Sequence, residues 1–162
     1  MKNRAGFVSN SSSSSFIVAL PHKPESIKDL QDMIFPNNEQ LFSVGFDADD
    51  EKYPTCQVTE TIMQDIEDES ADLYEIEETI NSGHSDDMPD YHKYQDKDGN
   101  IDWDRYNIAC KGYAVDRAKK FMEDNPNAFI FCASYSDDTP YGCAMEHGLL
   151  FENVYHIQVS NH

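Results

Sequence analysis

Between Lys52 and Lys93 the chain has no lysine and no arginine. Twelve carboxylates fill that interval: Glu60, Asp65, Glu67, Asp68, Glu69, Asp72, Glu75, Glu77, Glu78, Asp86, Asp87 and Asp90. The formal net charge of the 162 residues is −19. A surface of that sign repels phosphate backbones, which argues against direct nucleic-acid binding. Anionic membranes are disfavoured for the same reason. What such a surface attracts is a basic protein surface or a divalent cation.

Other absences narrow the field further. The four cysteines, Cys56, Cys110, Cys132 and Cys143, form no C-x-x-C pair. They read as buried or half-buried thiols in a reducing compartment, not as a zinc site or a disulfide framework. No apolar run approaches the roughly 18 residues of a membrane span. The basic start Met1-Lys2-Asn3-Arg4 leads toward serine and not toward an apolar run, so no secretory signal is expected and the expected compartment is the cytoplasm. H-E-x-x-H and H-x-H are missing, and no Ser or Cys stands in a nucleophile-elbow context.

Apolar residues nevertheless make up 39% of the chain, with nine Phe and nine Tyr, enough to argue against wholesale disorder and for one domain with a real core. Near the N-terminus, Gly6-Phe7-Val8-Ser9-Asn10 is followed by Ser11, Ser12, Ser13, Ser14 and Ser15, then Phe16-Ile17-Val18. One reading is a polar loop or edge segment leading into a short buried strand over residues 16–20, closed by Pro21 and Pro24. The other is a recognition tag, or a loop whose N–H groups and hydroxyls hold an anion. The glycine spacing of a phosphate-binding loop is absent. The string GFVSNSSSSSF, from Gly6 to Phe16, resembles an N-terminal signature of small, mostly uncharacterised bacteriophage and bacterial proteins. That resemblance implies a viral or mobile-element origin and a role for the segment in sorting, processing or recognition. It supplies no catalytic residue.

Along the chain, Ser26 caps an expected helix whose Ile27, Leu30 and Ile34 recur at helical spacing, ended by Pro36. A second apolar stretch covers 41–46, and an acidic loop 47–51. Residues 55–82 read as helix in one piece or two, with Val58, Ile62, Ile66, Leu73, Ile76 and Ile80 inward, a break near Glu69 and Ser70, and Gly83 as the stop. The stretch from Asp96 to Asn107 resembles a calcium loop, but Ile101 stands where glycine is required and Asn107 where glutamate is. Asp98-Gly99 as a hairpin turn fits better. A second long helix spans 104–124 and gathers Arg105, Lys111, Arg117, Lys119 and Lys120, making it the internal partner for the acidic helix. Residues 128–133 are continuously apolar, as in a strand covered on both faces. Residues 154–160 alternate, with Tyr155, Ile157 and Val159 on one face.

The expected architecture is α+β: a Ser-rich leader or edge segment at 1–15, then a single compact domain at 16–162, a mixed sheet with the two long helices packed on one face. Three functions remain open. The first is an acidic, phage-type protein that binds and modulates a basic host or viral protein through Glu60, Asp65, Glu67, Asp68, Glu69, Asp72, Glu75 and Glu78, mimicking nucleic-acid charge. The second is a metal-dependent enzyme, with hydrolysis as the expected reaction class, using Asp137, Asp138, Glu146, His147 and His156, because carboxylate and imidazole serve metal binding and acid–base work alike. His156 and His162 are six residues apart, roughly 20 Å in an extended chain, so one metal cannot join them unless the chain turns. The third is a virion component addressed by its leader: Phe7, Ser11 to Ser15 and Phe16. No cofactor is required by any motif, and a divalent metal is compatible with the acidic surface and with the second reading.

Overall fold

In the computed structural model, which describes residues 13–43, 52–85, 87–136, 141–147 and 149–160, Ser13, Ser14 and Ser15 do not precede the first strand but open it. β1 (Ser13–Leu20) is the centre of a three-stranded sheet, with β4 (Phe129–Ser136) on one side and β5 (Tyr155–Ser160) on the other. Between them come α1 (Ile27–Ile34), the short pair β2 (Leu41–Ser43) and β3 (Lys52–Pro54), α2 (Thr55–Asp65), α3 (Leu73–Asn81) and α4 (Trp103–Asp124), with α5 (Gly142–His147) preceding β5. Phe7, Ser11, Ser12, Asp86, Asp137, Asp138, His162 and the acidic loop 47–51 lie outside the described residues.

The register explains why the run 16–20 is apolar at every position. Phe16 lies opposite Ala133, Val18 opposite Phe131 and Leu20 opposite Phe129, and these residues pack against Leu30 and Ile34 of α1, Val58 and Ile62 of α2, and Met145 of α5. Ile17 and Ala19 point the other way, with Ile130, Ile157 and Val159, onto Ile76 and Ile80 of α3 and Ala114, Ala118 and Phe121 of α4. A central strand covered on both faces has no solvent face to mark with polar residues.

The α+β class is as expected, but its details differ in two respects. Both pairings of β1 are antiparallel, so among the described residues the sheet is not mixed. β4 and β5 run in the same direction yet never touch, because β1 lies between them. The two long helices also share a face only in part. The helical region breaks after Asp65, where Ile66 turns extended, and residues 66–72 carry the chain around the outer edge of β4. α2 therefore packs with α1 on one side of the sheet, and α3 with α4 on the other.

Ser70, at the expected break, is used for that crossing: the Ile130 N–H donates to its hydroxyl at 2.9 Å, and the Ala71 N–H donates to the Ile130 carbonyl at 2.7 Å. The cap is Asp72, in a reciprocal box with Glu75. Ser26 caps α1 as expected, accepting from the Asp29 N–H. Asp102 caps α4, two residues before the expected start. Gly99 takes the positive φ of 85° that a tight turn requires, and the Asp96 carboxylate accepts from the Asp98 and Asn100 amides around it. The flanking pairing is a single bridge, Gln95 to Ile101. Cys110 is buried and Cys132 half-buried, whereas Cys56 and Cys143 are exposed, because each lies in a helix on a side turned from the sheet. No described helix is long and apolar enough to cross a membrane.

Candidate functional site

All eight carboxylates of the expected partner surface are exposed. Glu60 stands on the outer side of α2, Asp65 ends that helix, Glu67, Asp68 and Glu69 lie in the connector, Asp72 and Glu75 open α3, and Glu78 lies in its last turn. The chain's own cations neutralise little of this. Among the described residues, one of the eight is ion-paired: Asp68, to Lys23 at 3.1 Å. The basic helix does not supply the internal partner expected of it. α3 and α4 meet through Ile76, Ile80, Ala114 and Ala118, and Lys111 borders a crevice with Glu77 and Glu78 without forming an ion pair. Arg117 turns instead to the Tyr113 hydroxyl, Ser85 and Asp87, and Lys120 to Asp124.

Four of the carboxylates converge. Asp65, Glu67, Glu69 and Glu75 ring a hollow of about 60 Å³ against the outer edge of β4, floored by Ile130 and Cys132. Next to it, on the α3 side, Glu78, Thr79 and Ser82 face Cys132 and Ser134 across a groove of about 360 Å³. Burial raises the pKa of Asp65 above the ordinary carboxylate value, opposed in part by the Tyr135 hydroxyl beside it. Tyr135 is itself pushed well above the ordinary tyrosine range, first by burial and then by the Asp65 charge. Burial likewise raises the Cys132 thiol.

The C-terminal cluster comes together only in part. Glu146 is buried in α5, with Oε2 3.4 Å from Nε2 of the exposed His147. Its main-chain carbonyl accepts from Gln158 Nε2 at 3.0 Å, and the same nitrogen donates to Ser14 Oγ at 3.1 Å. His156 is engaged elsewhere: Nδ1 donates to the Val154 carbonyl at 3.0 Å, and the ring packs against Phe16 and Phe151. Among the described residues, no group of three or more His, Cys, Asp or Glu side chains could hold a metal ion.

The leader is divided by the fold. Ser14, Ser15 and Phe16 are 3%, 3% and 1% exposed in the central strand, so they cannot serve as an accessible tag while the sheet is intact. Ser15 Oγ lies 2.7 Å from Oγ of the exposed Ser134 across the pairing, which gives the buried hydroxyl a partner. The boundary expected between Ser15 and Phe16 thus falls inside β1. Sequence reasoning missed the outer edge of β4. Its signal is the absence of charge and proline from Phe129–Ser136, which reads equally well as a central strand. Comparison with protein-family models, curated proteins and solved structures finds no match to this chain.

Proposed function

We propose that this is an acidic interaction protein, phage-type as its leader suggests, that binds and modulates a basic host or viral protein in the cytoplasm by presenting carboxylates in the manner of nucleic-acid phosphates. The observation that carries this reading is the exposure of eight of the nine carboxylates of 60–78, with a single ion pair among them in the described residues. Unneutralised like charges oppose local folding, at a few tenths of a kcal/mol for each helical neighbour pair. A cationic partner would relieve that repulsion and gain long-range steering from it.

The test is fluorescence anisotropy of a labelled 20-residue Lys/Arg peptide across a salt series. Affinity is expected to fall steeply as the Debye length shrinks from about 10 Å at 0.1 M salt to about 3 Å at 1 M. Simultaneous reversal to lysine of Glu60, Glu67, Glu69 and Glu78, whose side chains make no hydrogen bond or ion pair among the described residues, is expected to abolish binding. Binding indifferent to both salt and reversal sinks the reading.

A further inference from the structure

β4 is an edge strand, and its outer side is only partly closed. The Ile130 N–H and carbonyl face away from β1, to Ser70 and Ala71. In an antiparallel ladder, residues alternate between facing the partner strand and facing away from it. The main-chain groups of Cys132 and Ser134 therefore face the same outward side as those of Ile130. Among the described residues nothing bonds to them there. The connector that closes the edge at Ile130 has left it for α3 by Asp72.

Natural edge strands are usually blunted with lysine, proline or a bulge. β4 reads FIFCASYS, with none of the first two, and it pairs with β1 from Ser13↔Ser136 to Leu20↔Phe129 without a bulge. The edge is free of bulges over this register, and two adjoining recesses flank it. Asp65, Glu67, Glu69 and Glu75 stand at the Ile130 end, and Glu78 faces Cys132 and Ser134 from α3. A second copy of this chain would bring the same five carboxylates against these, so the charge that attracts a basic strand also opposes β4-to-β4 association.

We infer that the outer edge of β4 at Cys132 and Ser134 is a strand-addition site for an extended, basic peptide segment of the partner protein. Main-chain hydrogen bonds to the two residues would hold the segment in register, and lysine or arginine at alternate positions would meet Glu75 and Glu78 on the α3 side. The inference rests on the proposed function and gives it a location and a mode of recognition.

The test uses the full chain and two synthetic eight-residue peptides of equal charge, Lys-Val-Lys-Thr-Lys-Val-Lys-Thr and the same sequence N-methylated at every residue after the first. Methylation removes main-chain donors while leaving every lysine in place. The unmodified peptide is expected to bind at least ~10-fold more tightly, the order that a few main-chain hydrogen bonds supply. It is also expected to slow hydrogen exchange at the Cys132 and Ser134 amides, which exchange fast in the free protein. Ser134→Pro removes one of the two outward N–H groups at a position where an edge strand accepts proline, and is expected to narrow the difference between the two peptides. Equal, salt-sensitive binding of both peptides without amide protection overturns strand addition and leaves the electrostatic reading standing. Two results reassign the edge and likewise overturn the inference. One is dimerisation in sedimentation that protects the two amides. The other is protection already present in the free chain and lost on deleting residues 1–12.

Discussion

Ser70 and Ile130 are 60 residues apart in the chain, and the Ile130 amide donates to the Ser70 hydroxyl at 2.9 Å. With the adjacent bond from Ala71, this contact fixes where the chain passes from one face of the sheet to the other. It sets the position of every carboxylate in the connector relative to the edge of β4.

Ser70→Ala is accordingly expected to cost about 1 kcal/mol, the usual net value of such a bond, because solvent can partly replace the hydroxyl at an edge. Urea denaturation gives the stability change. Exchange of the Ile130 amide should accelerate more than that of Val18 in the strand centre. Uniform acceleration at both positions would mean the contact merely reports global stability.

Asp65 yields a pH dependence of defined sign. Its folded-state pKa is raised by burial, so the folded protein binds a proton at Asp65 more readily than the unfolded chain. The ionised carboxylate therefore subtracts stability above the folded pKa, and the deficit is relieved as pH falls through that value toward the ordinary 3.8. Asp65→Asn should melt higher than the parent at neutral pH, with the difference shrinking to nothing below the ordinary value. Thermal melts in a pH series decide it, and an advantage that grows on acidification contradicts the assignment.

How far this fold is legible in its sequence can be judged from a few residues. Ser26 with Ile27, Leu30 and Ile34 defines α1, because a capping hydroxyl and a 3.6-residue period are both local signals. The alternation of Tyr155, Ile157 and Val159 is equally local, and those side chains do share the α3–α4 face. The split between α2 and α3 was legible as a break, but not as a change of face. The inward positions Val58, Ile62, Ile76 and Ile80 look alike whichever side of the sheet they meet. Ser13, Ser14 and Ser15 read as leader because serine has little strand preference; pairing with Ser136, Tyr135 and Ser134 places them in the sheet. α5 is too short for periodicity to find, and with it went the burial of Glu146. Of the candidate site, the carboxylates were legible from composition. Their convergence on a sheet edge was not, since it depends on which strand lies outermost.

The central position of the serines leads to a truncation experiment. Removing residues 13–15 in addition to 1–12 deletes the pairings of Ser14 with Tyr135 and Ser160, and of Ser15 with Ser134 and Val159. Losing several ladder bonds at about 1 kcal/mol each is a large fraction of a stability of about 5–15 kcal/mol. The chain beginning at Phe16 should therefore melt well below the chain beginning at Ser13, as followed by circular dichroism. Equal melting temperatures would show that the serine pairings contribute nothing.

Glu60 and Glu78 separate a general acidic surface from a located one. Both are exposed glutamates, but Glu78 lines the groove beside Cys132 and Ser134, while Glu60 is on the outer side of α2, across the sheet from α3. Neutralising either removes the same charge from the molecule, so diffuse attraction would respond equally to both. A segment added to β4 would feel Glu78 directly, and an exposed pair is worth about 0.2–1 kcal/mol. Glu78→Gln is thus expected to weaken binding of the Lys-Val-Lys-Thr-Lys-Val-Lys-Thr peptide by about 2- to 5-fold at 0.1 M salt, the upper part of that range. Glu60→Gln should weaken binding less, because Glu60 lies on α2, across the sheet from the β4 groove that Glu78 lines, and its charge is screened by the intervening salt. Anisotropy titrations of the two variants in parallel provide the comparison. Equal weakening would return the site to an undirected field of charge, and a larger effect at Glu60 would move it to the α2 face.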